Sequence, residues 1–281
     1  MKLREFFYML GLRPKARSYG QVIKEQQIDG ESIRYADWLH PRAYSCAVKR
    51  GEVDRLREFL QAGDVAIDIG AHIGDTTLPM ALAVGQSGSV IAFEANPYTY
   101  ETLAVNADLN QHIGKIYAHN LAVTDETRQY EFSYNDPGFM NGGAVEKTRD
   151  FRQGDAFRIK VDGVQLEAFL DEHYPQLISR IKYIKIDAEG YDFFILKSLS
   201  GLLNRIRPVI QAEVMKGTSE SYRSQMFELL KSKGYAVQRH DNSENLEFFE
   251  SASEMLKFDN FDVFCTPIEQ LAVNGLTAQA S

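Results

Sequence analysis

Cysteine is scarce in this chain. Its 281 residues hold two, Cys46 and Cys265, far apart and without metal-ligand spacing. That argues against a disulfide framework or a zinc site and fits a reducing, cytoplasmic setting. Basic charge is in short supply as well: 31 Lys and Arg stand against 39 Asp and Glu, a net charge of −8. Broad nucleic-acid binding needs a basic footprint on the phosphate backbone, so it is excluded. No apolar run approaches the roughly 18 residues of a membrane span. The six histidines form no i, i+4 pair, so no zinc site on one helix is indicated.

What is present is ordinary for a globular protein: 44% hydrophobic and 25% charged residues, in a chain long enough to bury a full core. The charge is uneven. Residues 1–18 hold Lys2, Arg4, Arg13, Lys15 and Arg17 against Glu5 alone. With the apolar patch FFYML this stretch reads as a surface helix, and weak peripheral contact with an anionic membrane is its sharper reading. Residues 1–62 are mainly helical in pattern, as in EVDRLREFL (52–60), and predict a helical N-terminal extension.

From Asp64 onward short apolar runs alternate with helical stretches. Strands are expected at 65–70, 89–95, 115–123, 181–190, 207–214, 235–240 and 261–267, with helices at 76–84, 97–110 and 222–234. Such alternation implies βαβ units and a doubly wound, mostly parallel sheet. The expected organisation is the extension 1–62, a nucleotide-fold domain 63–270 and a tail 271–281. Residues 124–164 break the rhythm: they are polar and turn-rich, with short strands at 128–134 and 157–162. An insertion this long suggests a lid, with Asn141 in its Asn-Gly-Gly turn against the acceptor. The rival is a hairpin in a homodimer contact through Tyr130 and Phe132.

The first chemical signal is Asp68-Ile69-Gly70-Ala71-His72-Ile73-Gly74, after a strand and before a helix. Ligands of open α/β sheets sit outside the carboxyl ends of the strands, where glycine admits close approach. Glu94, with Ala95 and Asn96 behind it, ends the next strand, where a carboxylate accepts from both hydroxyls of a ribose. A dinucleotide fingerprint aligned on Gly70 needs glycine at 72 and 75, where this chain has His72 and Asp75. An acid at the helix start repels a pyrophosphate. S-adenosyl-L-methionine, a ribose without phosphate, fits better. Asn120 and Ala122, ending the third strand, border the adenine position.

The second signal is Lys185-Ile186-Asp187-Ala188-Glu189-Gly190. Alternating charges ending a central strand are costly to bury unless paired or functional. Asp187 is the leading base or acceptor-orienting group, followed by Glu189 and His72. Lys185 pairs with one of these acids, and Glu213 on the neighbouring strand completes the rim. Asp187, Glu189 and Glu213 also make an oxygen set of the kind Mg²⁺ takes, an alternative that is not favoured.

The segments DIGAHIGDTTLPMA, VIAFEANP, LAVTD, YIKIDAEGYDFFILKSL and RPVIQAEV together resemble the FkbM-type methyltransferases over roughly residues 55–240. The resemblance implies a class I, Rossmann-like fold with a seven-stranded sheet whose last strand is antiparallel. It implies S-adenosylmethionine-dependent O-methylation of a sugar, glycan or secondary-metabolite hydroxyl. His72 departs from it, since many members carry Asn there. N-methylation of a small molecule, a non-catalytic nucleotide-binding module and a nicotinamide-dependent oxidoreductase are the competing readings.

Overall fold

The computed structural model describes residues 17–134, 142–144, 157–240 and 247–273. The basic stretch 1–16, residues 135–141 (Asn141 among them) and 145–156 of the expected lid, and the tail from 274 lie outside the described residues.

The chain opens on a hairpin of β1 (Gln21–Ile28) and β2 (Glu31–Trp38), followed by helix α1 (Arg50–Leu56). Among the described residues this corrects the expectation of a mainly helical extension, which holds there only for α1. The turn explains why. Asp29 and Gly30 both have positive φ, 53° and 87°, the geometry that an Asp-Gly turn supplies in a tight hairpin.

Next come β3 (Val65–Ile69), α2 (Thr77–Val84), β4 (Ser89–Phe93), α3 (Pro97–Leu109) and β5 (Lys115–His119). A small second sheet follows, built from β6 (Ala122–Val123), β7 (Arg128–Tyr134), β8 (Gly142–Ala144) and β9 (Phe157–Val164). The chain then returns through α4 (Leu166–His173), β10 (Ile181–Ile186), α5 (Asp192–Ser198), α6 (Ser200–Ile206), β11 (Val209–Val214) and α7 (Glu220–Ser232). It closes with β12 (Tyr235–His240), β13 (Glu247–Phe248), α8 (Ala252–Met255), β14 (Phe261–Pro267) and α9 (Ile268–Val273).

The seven expected strands form the main sheet, with β13 added at one edge: β13-β12-β14-β11-β10-β3-β4-β5. β11, β10, β3, β4 and β5 run parallel, while β14 is antiparallel to both its neighbours. One expectation shifts: the third strand ends at His119, and Ala122–Val123 crosses into the second sheet to pair with β9.

The alternation along β3 and β10 sends side chains to two apolar layers. Val65, Ile67, Ile69, Ile184 and Ile186 meet the layer of α4 to α7, while Ala66 and Tyr183 meet that of α1, α2 and the hairpin. Asp68 and Lys185 are register partners in the adjacent strands. Local signals agree with the helix starts. Asn96 caps α3 by accepting from the Tyr98 N–H at 3.0 Å, with Pro97 in the first position.

Two buried amides fasten the hairpin: Asn110, just past α3, accepts from the Arg34 N–H at 3.2 Å and donates to the Arg34 carbonyl at 2.6 Å, and Asn106 reaches further. Asn106 on α3 accepts from the Ala36 N–H at 2.6 Å and donates to the carbonyls of Ala36 and Ile73 at 3.1 and 2.7 Å. Ile73 belongs to the glycine loop, so one side chain joins hairpin, helix and loop. Asn106→Ala strands these buried groups and should lower stability by about 3 kcal/mol, read as a lower urea midpoint at unchanged slope. An unchanged midpoint would show that Asn110 and apolar packing hold the hairpin without Asn106.

Candidate active site

The carboxyl ends of β3, β4 and β10 enclose a cavity of about 310 Å³. Gly70 forms its throat. Its φ is +77°, and a Cβ there would lie 1.9 Å from the Asp187 carbonyl oxygen. Only glycine permits this approach of two strand ends. The same crossing is drawn tight by the Asp187 N–H donating to the Ile69 carbonyl at 3.0 Å.

His72 sits in the left-handed region at φ 49°, where Asn and His are enriched among non-glycine residues. A conformation both residues tolerate accounts for His72 standing where the resemblance has Asn. Its N–H donates to Glu94 Oε2 at 2.7 Å, and the Asn96 N–H donates to Oε1 at 2.8 Å. Glu94 is buried, which raises its pKa, and these two N–H groups hold the carboxylate in place. The Thr99 side chain is a third hydrogen-bond partner, and a carboxylate with about four lone-pair sites still has capacity for a further donor.

The cavity also takes in Leu121, Ala122 and Val123 beyond β5, and Ala95 and Asn96 beyond β4. Asp187, Glu189 and Lys185 line it from β10 and the turn behind it. With Asp75 and Glu94 this gives four acids against one lysine and His72. Such a wall favours cationic ligands and opposes phosphates. Lys185 is buried between Asp187 at 3.2 Å and Asp68 at 3.7 Å. Burial alone would lower its pKa, but the carboxylates of Asp187, Asp68 and Asp75 outweigh it and hold the ammonium protonated. It is therefore an ion-pair partner and not a base.

Several expected ligand residues stand behind the wall. Asp68, fully buried, accepts from Thr76 and Thr77 Oγ1 at 2.8 and 2.6 Å on one oxygen. It anchors α2 and Lys185 rather than facing the cavity. Ala71 is buried, and Gly74 packs against Leu103. Asn120 Nδ2 donates to the Glu94 carbonyl at 2.8 Å and so positions that strand end. Among the described residues no group of three His, Cys, Asp or Glu side chains is arranged to hold a metal.

Other lining residues were not singled out for the site. Phe132 and Tyr134 reach it from β7, Tyr191 follows the Asp-Ala-Glu-Gly turn, and Tyr44 comes from the N-terminal region. The period-two spacing of Phe132 and Tyr134 is a sequence signal for one shared face. Tyr44 carries no such signal. Trp38 is buried, stacked on His40 with ring centroids 4.7 Å apart and edge-on to His72 at 6.0 Å. It supports the loop from behind.

A model of the FkbM methyltransferase domain matches residues 68–237, more than half of the chain. Among solved structures, the FkbM methyltransferase of Methylobacillus flagellatus KT is 14% identical with a TM-score of 0.43, covering 76% of this chain and 51% of its own. The chain thus spans about half the length of that relative. Aeropyrum pernix fibrillarin, solved with natively bound S-adenosyl-L-methionine, is 13% identical (TM-score 0.44, 90% and 85% covered). TYW2 of M. jannaschii, in complex with AdoMet, is 14% identical (TM-score 0.41, 90% and 89% covered). No curated protein matches the chain.

Glu213, expected on the rim, is not among the residues that line the cavity; its Oε2 is buried without a hydrogen-bond partner, while Oε1 accepts from Asn260 at 3.2 Å. Burial, then the nearby Asp187 carboxylate, pushes its pKa from 4.5 up to about 7. Below pH 4.5 the group is protonated folded or unfolded. Between pH 4.5 and 7 only the unfolded chain ionises it, so stability falls as pH rises through that window. Glu213→Gln should therefore exceed the native chain in stability at pH 8 by about 1 kcal/mol, a figure reduced for partial exposure, and match it near pH 4. Urea unfolding at the two pH values checks this, and a gain of equal size at both would assign the effect to packing.

Proposed function

The chain belongs to the FkbM methyltransferase family, and on that premise we propose that it transfers a methyl group from S-adenosyl-L-methionine to a hydroxyl of a sugar, glycan or secondary metabolite. The observation that carries the reading is the Glu94 carboxylate, fixed by the His72 and Asn96 N–H groups at the wall of an acid-lined cavity. A ribose needs such an acceptor. A ligand with a sulfonium and an ammonium suits that charge, whereas a nicotinamide dinucleotide brings a pyrophosphate to Asp75. The cavity volume lies at the lower end of the range for one small-molecule ligand, which fits a single nucleoside.

In this reading Gly70 and His72 contact the ligand through backbone, Glu94 takes the ribose hydroxyls, and Ala95, Asn96 and Ala122 flank the adenine. The bound sulfonium supplies an activated methyl: the acceptor oxygen bonds to carbon as the sulfur–carbon bond breaks, and sulfur keeps the electron pair. The chain's own part is to orient the acceptor and take up its proton. Asp187 does both in this account. It lines the cavity with its side chain 46% accessible, and the Lys185 ammonium 3.2 Å away fixes its carboxylate. Glu189 is the second acid within the same wall.

Two variants separate binding from chemistry. Glu94→Ala should weaken S-adenosylhomocysteine binding roughly thirtyfold or more, the scale of about 2–3 kcal/mol for a charged bidentate contact, as read by calorimetry. Unchanged affinity in the folded variant would remove Glu94 from the ribose site. Asp187→Asn, assayed by labelled-methyl transfer to a pool of hydroxylated acceptors, should lose about 10²-fold in turnover while keeping cofactor affinity. Turnover near the native level would end the role of Asp187.

A further inference from the structure

A cofactor that fills about 310 Å³ leaves the acceptor to be housed elsewhere. Lys185 and Thr76 line a second hollow as well, of about 1060 Å³. It lies over the sheet face that α1 and α2 leave open, between α1 and the stretch 258–262, and is closed at one end by Phe59 packed on Phe264 with ring centroids 4.7 Å apart. Asp68, Lys185, Gln211 and Phe264 are successive register partners across β3, β10, β11 and β14. Their side chains therefore share one face, and Lys185 stands where the two cavities meet.

The floor is a directional hydrogen-bonded chain. The Asp262 carboxylate only accepts, so the Gln211 amide turns its Nε2 toward Oδ2, at 2.6 Å. That leaves Gln211 Oε1 to accept from the Tyr183 hydroxyl, also at 2.6 Å. An amide and a carboxylate with fixed orientation, set beside the rings of Phe258 and Phe264, make an amphipathic surface. Arg239 stacks over the Phe258 ring at 4.1 Å and holds it in place.

The lining charges nearly balance, Lys49, Arg55, Lys185 and Arg239 against Glu52, Asp259 and Asp262, and several are paired among the protein's own groups. Lys49 meets Glu52 at 3.0 Å, Arg239 meets Glu247 at 3.6 Å, and Asp259 meets Lys216 at 2.5 Å. A rim neutralised in this way offers little to a charged ligand. Oriented polar groups beside aromatic faces suit a ring with apolar C–H faces and hydroxyl edges.

We propose that this second hollow is the acceptor site and that it takes a neutral, polyhydroxylated ring of about one sugar unit. Gln211 and Asp262 read its hydroxyls, and the reacting hydroxyl passes Lys185 to reach Asp187. The assignment rests on the methyl-transfer reading above and adds where the acceptor binds and what charge it carries.

The test uses the full chain with S-adenosylhomocysteine added, and methyl glycosides of neutral hexoses and deoxyhexoses as probes in saturation-transfer NMR. Ring protons of at least one glycoside should receive saturation. Gln211→Leu and Phe258→Ala should each cut that signal at least fivefold, with S-adenosylhomocysteine affinity within twofold of native by calorimetry. A second measurement leaves the floor intact. A nitroxide on Glu52→Cys should broaden the bound glycoside, while one on Glu228→Cys, on α7 across the sheet, should not; Cys46 and Cys265 are buried and escape labelling. Absence of saturation transfer from every glycoside in the native chain would overturn the assignment, as would broadening from position 228 alone. Failure of S-adenosylhomocysteine to bind the native chain would overturn the methyl-transfer reading itself. That result is distinct, because the glycoside measurement can be repeated without it.

Discussion

A buried ammonium organises the centre of this molecule. Lys185 projects from the carboxyl end of β10, buried but for a small part of its surface, and it is stable there because Asp68 and Asp187 flank it. Breaking such a pair leaves an uncompensated charge in the interior, a loss of about 3–5 kcal/mol. Asp68 Oδ2 accepts in turn from the hydroxyls of Thr76 and Thr77, which fixes the start of α2, while Oδ1 faces the ammonium. The strand order, the helix start and the direction of the Asp187 carboxylate are thus bound into one electrostatic unit. The cofactor cavity lies on one side of it and the larger hollow on the other.

The main sheet was legible because its strands are short apolar runs separated by turn residues, and their spacing forces parallel pairing. The N-terminal hairpin was not. β1 has its apolar residues at 22, 23 and 28, out of alternation, and four exposed residues in a row, so no period-two signal rises from it. The available cue was Asp29-Gly30 between two eight-residue segments, a turn signal outweighed by the helical spacing of 52–60. Strand ends were also read too long. The apolar run through 123 belongs to two sheets, and periodicity carries no mark of where a chain changes partner.

At the site, the residues read for their chemistry came together. Gly70, His72, Glu94, Asp187 and Glu189 line one cavity although up to 119 positions separate them in sequence. Asp68, Gly74 and Asn120, read as ligand contacts, are not among the lining residues and pack against or hydrogen-bond to groups beside it. A one-dimensional motif does not distinguish a residue facing a ligand from one bracing the residue that does, since both recur at the same strand ends. The aromatic wall of Phe132, Tyr134 and Tyr191 depends on how the second sheet packs over the first, a tertiary fact.

The central claim is that the Gly70 cleft takes a ribose without phosphates. Calorimetric titration of the native chain with S-adenosylhomocysteine and, separately, with NAD tests it most directly. The account predicts saturable one-site binding of S-adenosylhomocysteine and no measurable heat with NAD. Saturable binding of NAD with S-adenosylhomocysteine silent would contradict it.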